Sequence, residues 1–220
     1  MNSLLLTLTA LFILVLSALF AAPLFIDWND YRPAFEKQAT KLLGRAVKVD
    51  GQVHLKLLPA PELKFDDVKV ANEDGSLDEP FLAVKSLQAR LNIASLFTGT
   101  VEAHQLAIVE PTLRLEVNAD GTGNWGDVGR PGVAVPFAPK EVLLDAVRVS
   151  GGTIEIVRDG VTKFTFSNID GEASAASLSG PYKVSTEYDF EGRRQNLRFS
   201  TGAMDQTGRF RLKAALRDPG

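Results

Sequence analysis

The chain of 220 residues contains no cysteine. Disulfides, thiolate nucleophiles and cysteine-ligated metals are therefore excluded, although the compartment is not thereby identified. Histidine is nearly missing as well, with only His54 and His104. Neither has a serine or acidic partner at a recognisable spacing, so both are expected on polar strand faces, not in a catalytic or metal site. A surplus of one charge is also lacking, since 24 lysines and arginines face 27 aspartates and glutamates. A phosphate-binding surface would need a basic excess, and nucleic acid is not expected as a partner.

Catalytic signatures are absent in the same way. No nucleophile elbow, metalloprotease or kinase motif occurs. The stretch "GTGNWG" lacks the lysine and serine or threonine of a phosphate loop. "NADGTGNWGDVG" imitates a calcium loop through Asn118, Asp120 and Thr122. Its twelfth position is Gly129, where a bidentate glutamate should stand, so a hairpin loop is expected. The adjacent acids of "FDDVKV" are read as a polar bulge between Phe65 and Val68. The chain is expected not to be an enzyme, with no catalytic residue, no metal and no cofactor.

Charge is missing altogether from residues 1–26. As a helix, residues 4–26 would span about 35 Å at roughly 1.5 Å per residue, enough for a hydrocarbon core of about 30 Å. A cleaved signal should carry a basic start and a small-x-small cleavage site, and neither is present. Trp28, Tyr31 and Phe35 follow the run and fit a membrane interface, where aromatic rings collect. We therefore expect residues 1–26 to be a transmembrane anchor and residues 27–44 a membrane-proximal amphipathic helix. The basic residues Arg32, Lys37, Lys41 and Arg45 all follow the anchor, and the charge rule taken alone would place the body in the cytoplasm.

Within residues 33–43, Phe35, Ala39 and Leu42 recur at helical spacing, Pro33 suits a first turn and Gly44 a stop. From residue 45 onward the period changes from 3.6 to 2. Val47, Val49, Val53, Leu55 and Leu57 alternate with polar residues. So do Leu87, Ala89, Leu91 and Ile93; then Leu113, Leu115 and Val117; then Ile154 and Ile156; then Phe164 and Phe166. Weaker strands are expected near 182–190 and 209–214. Asp-Gly pairs at 50–51, 74–75, 120–121, 159–160 and 170–171 read as tight turns. Keeping Val49 with Val53, and Ile156 with Phe164, on one face calls for three-residue or bulged hairpins. The pattern predicts a mainly β fold, an antiparallel meander sheet over residues 45–220. "LAIVEPTLRLEVNADG" and "VRVSGGTIEIVRDG" form a loose internal repeat, separated by a Gly/Pro-rich loop. The apolar face of such a sheet is core if a second layer covers it, and an acyl-chain trough if it stays open; alternation fits both.

The stretch "FIDWNDYRPAFEKQATKLLGRAVKVDGQVHLKLLPAPELKFDDVKVAN" resembles the start of bacterial AsmA-like proteins. Weaker likeness continues through "NADGTGNWGD" and "VRVSGGTIEIVRDG". The resemblance implies an inner-membrane anchor with a periplasmic body, a curled sheet and an apolar trough related to bridge-type lipid-transfer proteins. It also implies a part in outer-membrane biogenesis, with phospholipids and the inner membrane as partners. On that reading the trough is lined by Leu87, Leu91, Ile93, Leu113, Leu115, Ile154, Ile156, Phe164 and Phe166. The rival reading is a non-enzymatic assembly or targeting factor that meets outer-membrane or envelope proteins at its sheet edges. Family members are commonly longer, and the β-rich domain is expected to be incomplete at its C-terminus.

Overall fold

A computed structural model describes residues 2–21, 26–56, 60–91, 103–126, 144–175, 181–202 and 211–217. Helix α1 (Asn2–Ala21) opens the chain. Its leucine, isoleucine and phenylalanine side chains from Leu4 to Leu14 lie exposed. The side chains described in α1 are those of 4–15 and 17. Among the described residues no helix is both long and apolar enough to cross a membrane. The expected anchor over residues 1–26 thus rests on the sequence.

A 3-10 turn (Trp28–Tyr31) leads into α2 (Arg32–Leu43). Gly44 closes α2 in the left-handed conformation at φ 68°, which a residue without Cβ adopts cheaply. One face of α2 packs Phe35 and Ala39 on a buried cluster of Val47, Val49, Val53, Val68, Val70 and Val84. The Phe35 ring meets Phe65 edge-on at 5.2 Å. The α2 helix thus caps one end of a sheet.

The remaining described chain is a single open sheet of ten strands: β1 (Val47–Val49), β2 (Val53–Lys56), β3 (Glu62–Val70), β4 (Leu82–Leu91), β5 (Ala103–Val117), β6 (Leu144–Arg158), β7 (Val161–Ala175), β8 (Tyr182–Phe190), β9 (Arg193–Thr201) and β10 (Leu212–Arg217). Strands β3 to β10 follow one another in chain order. Strand β9 adds an element to those expected from the sequence.

Three expectations about strand pairing and turns need correction. The sheet is not a pure antiparallel meander, because β5 and β6 pair in parallel. A parallel return needs a long crossover, and residues 118–143 supply the chain for it. Asp50-Gly51 is not a hairpin turn. Both β1 and β2 pair with β3, and residues 50–52 bulge out of one edge strand. Asp170-Gly171 lies inside β7. The hairpin at Asp159-Gly160 is bulged as expected, around a two-residue turn in which Arg158 pairs with Val161. Ile156 still faces Phe164, because a register shift beside Val157 restores the parity.

The two halves of the internal repeat lie side by side in this parallel pair. Leu106 pairs with Val147, Thr112 with Thr153 and Leu115 with Ile156. Their breaks align too, Glu110 at φ 47° beside Gly151 at φ 63°. These belong to a crease that crosses the sheet, with Asp67 at φ 53° in β3 and Asn168 at φ 49° in β7. At the crease the alternation flips: Phe65 and Val68, three residues apart, both pack on the core, as do Val84 and Leu87. The acids between Phe65 and Val68 are not the expected bulge: the β3–β4 register runs unbroken through them, and the extra residue lies opposite, in 50–52.

Candidate functional site

Residues directly paired across strands share a face of the sheet. Following the pairs from β2 to β10 gives one row: Leu55, Leu63, Ala89, Leu106, Val147, Ala173, Val184, Phe199 and Ala214. Every member is apolar. The neighbouring row runs Phe65, Leu87, Ile108, Val149, Gly171, Thr186, Leu197 and Leu216. Across the crease, Leu82, Leu113, Ile154 and Phe166 form a third row, and Leu115, Ile156 and Phe164 a fourth. Phe166 stacks on Phe190 at 4.7 Å and meets Tyr188 at 5.6 Å, which extends the aromatic part to β8.

The structure thus brings together Leu87, Leu113, Leu115, Ile154, Ile156, Phe164 and Phe166. The side chain of Leu91 and all of Ile93 lie outside the described residues, as does the His104 side chain. His54 faces Asp66 at 3.9 Å on the polar side of β2. Of the aromatic residues assigned to an interface, Trp28 and Phe35 pack against the valine cluster and Tyr31 is exposed. The row from Leu55 to Ala214 escaped the sequence reading except at Leu55 and Ala89. Its signal in β8 and β9 was alternation with Thr186 or Gln195 replacing an apolar residue.

Burial along this face is uneven. The buried valines of this face sit under α2, at the β1–β4 end, while Val157, buried beyond β4, pairs with Glu116 on the opposite face. The row from Ala89 to Phe199 is half-buried, while Phe164 is 49% exposed and Leu216 62%. Among the described residues, β5 to β10 meet only their neighbouring strands, apart from minor contacts, and no second layer lies over them. A packed core would bury such residues almost completely.

The opposite face is mostly polar, with Gln88, Ala107, Arg148, Glu172, Ser185, Arg198 and Ala215 in one row. Arg148 pairs with Glu172 at 2.6 Å. Acids and bases also stitch the crease: Lys69 to Asp50 at 2.9 Å, Lys85 to Glu110 at 2.7 Å, and Arg194 to Asp170 and Asp189 at 3.2 Å. The hydrogen bond from Lys69 holds the Asp50 carboxyl below the usual carboxylate range. The Asn168 amide, and then Arg194, do the same for Asp189. Asp170 accepts the Gly151 N–H at 2.9 Å, so a strand amide freed by the bulge is satisfied by a side chain.

A buried knot ties the connection between α2 and β1 to the sheet. The Asn124 amide, 4% exposed, donates to the Asn72 side chain at 2.9 Å and to the Arg114 carbonyl at 3.0 Å. Its side-chain oxygen accepts the Glu116 N–H at 2.9 Å. Arg45 donates to the Asn124 carbonyl and lies over the Phe81 ring at 4.7 Å. Arg45 comes from "LLGR", Asn72 from "VKVAN" and Asn124 from "NADGTGNWGD". The stretches behind the resemblance therefore meet in space. In the same loop Asp120 accepts from Thr122 N–H and hydroxyl at 2.9 and 2.6 Å, forming a turn.

Compared with known families, residues 1–213 match the AsmA family. No curated protein matches the chain.

Proposed function

Since the chain belongs to the AsmA family, we propose that its apolar sheet face holds or conducts phospholipid acyl chains during outer-membrane biogenesis. In this reading residues 1–26 anchor the chain in the bacterial inner membrane and the body stands in the periplasm. The carrying observation is the apolar row from Leu106 in β5 to Ala214 in β10, over which no described element lies. Support for the anchor is the charge-free start and the exposed apolar side chains of α1.

The mechanism is partition. Each methylene moved from water onto the apolar face gains about 0.8 kcal/mol, while a charged headgroup stays at the solvent edge. Adjacent rows hold similar side chains, so a chain shifted from one strand to the next, about 4.8 Å away, exchanges like for like. No acid, base or nucleophile is needed for such movement, and we assign no catalytic role to any residue.

Site-specific photocrosslinking tests the reading. A photoreactive side chain at Phe199, on the apolar row, should capture phospholipid in membranes. The same group at Arg198, on the polar face, should capture none. Equal capture at the two positions, or none at Phe199, would overturn the assignment.

A further inference from the structure

On the polar side of the sheet Arg90, Arg114, Arg148 and Arg194 are each paired with a carboxylate. Two arginines stand on the other side. Arg158 follows Ile154 and Ile156 at two-residue spacing in β6 and pairs with Val117 and Val161. Arg193 pairs with Phe190, on the side of β9 that carries Leu197 and Phe199. Both therefore belong to the apolar face. Both are exposed, and neither has an ion pair among the described residues.

The two arginines share one end of the sheet. Arg158 precedes the Asp159-Gly160 turn between β6 and β7, and Arg193 follows the Glu191-Gly192 turn between β8 and β9. Because β7 and β8 are antiparallel neighbours, the start of β7 and the end of β8 lie together. Three strand steps of about 4.8 Å set the arginines roughly 14 Å apart. Between them stand Phe164 in β7 and Phe190 in β8, rings 6.2 Å apart. Each arginine also has an acid in its turn, Asp159 at φ 54° and Glu191 at φ 50°. These acids are exposed and, among the described residues, form no ion pair either. An unpaired cation and an unpaired anion thus stand together at two places on one rim of the apolar face.

We propose that these two places seat the head of a zwitterionic phospholipid, with its phosphate on Arg158 or Arg193 and its ammonium on Asp159 or Glu191. The planar fork of arginine matches two phosphate oxygens at once. From the rim the acyl chains run inward over Phe164 and Phe190 and onto Ile156 and Leu115. The head keeps its charges in water while the chains leave it, which is the separation that partition demands. A head with phosphate alone leaves the turn acid unmatched and is repelled by it. The inference rests on the reading of this face as a phospholipid surface, and adds where the head lies and which head fits.

The test titrates the full chain in detergent with lipids of identical chains, and native mass spectrometry reads the adducts. The lipids are dioleoyl phosphatidylethanolamine, dioleoyl phosphatidylglycerol and dioleoylglycerol, which has no phosphate. Occupancy should fall in that order. Arg158→Gln with Arg193→Gln should lower phosphatidylethanolamine occupancy by roughly tenfold and leave dioleoylglycerol unchanged, which also shows that the variant is folded. Asp159→Asn with Glu191→Gln should erase the preference for phosphatidylethanolamine over phosphatidylglycerol. Arg198→Gln, at an exposed arginine of the polar face, should change nothing. Equal occupancy by the lipid without phosphate, or an equal loss in Arg198→Gln, would overturn the inference and leave the trough standing. So would a preference for the ethanolamine head that survives loss of both turn acids. A chain that takes up none of the lipids would overturn the reading of the face, and this inference with it.

Discussion

A Cβ built on Gly51 would lie 2.5 Å from the Asp66 carbonyl oxygen and 2.7 Å from its carbon. Backbone occupies that space, so relief requires one edge strand to move away from β3. The Gly51 and Asp66 main chains are also joined by an N–H···O bond of 3.1 Å. We expect Gly51→Ala to cost about 2–3 kcal/mol, the range for overpacking against rigid surroundings, measured by urea unfolding. The sequence signal at Gly51 was read as a turn, because Asp-Gly pairs favour turns and bulges alike. What separates the two is the partner strand, and pairing distance is not written in a dipeptide. The Asn124 knot was hidden for a related reason. A single asparagine among glycines looks like loop, and only its bonds to Arg114 and Glu116 in β5 and to the distant Asn72 make it structural.

At the scale of elements, alternation was legible wherever a strand stayed on one side of the crease. Leu113 and Leu115 read correctly, as did Ile154 and Ile156, because each pair lies within a regular half-strand. The step from Ile108 to Leu113 was not legible, since Glu110 at φ 47° inverts the parity. Polar residues at the crease also carry its electrostatics. Asp189 is held below its ordinary value by Asn168 and Arg194. A depressed carboxylate stabilises fully above the unfolded value of about 3.9 and loses that contribution as pH falls through the lower folded value. Amide exchange in β7–β9 should therefore be pH-independent in its protection from about pH 7 to 5 and weaken below about pH 4. In Asp189→Asn that acid step should shrink; an unchanged step would show that Asp189 does not carry it.

For the whole molecule, the parallel pair matters most. Without it, two copies of one repeat could not set Leu106 beside Val147 and Leu115 beside Ile156. The crossover through residues 118–143 thus turns a repeated sequence into repeated rows. Eight strand-to-strand steps at about 4.8 Å carry the principal apolar row across roughly 38 Å of sheet. The full burial of valines under α2 gives that surface a closed end. At β10 the leucines of the same surface, Leu212 and Leu216, are exposed.

Native mass spectrometry of the detergent-extracted full chain tests the central claim most directly. The account predicts adducts of phospholipid mass on the wild-type chain. It also predicts their loss when Phe164, already half exposed, is replaced by aspartate together with Ile156. A wild-type chain that emerges free of lipid, or a double variant that keeps its adducts, would contradict it.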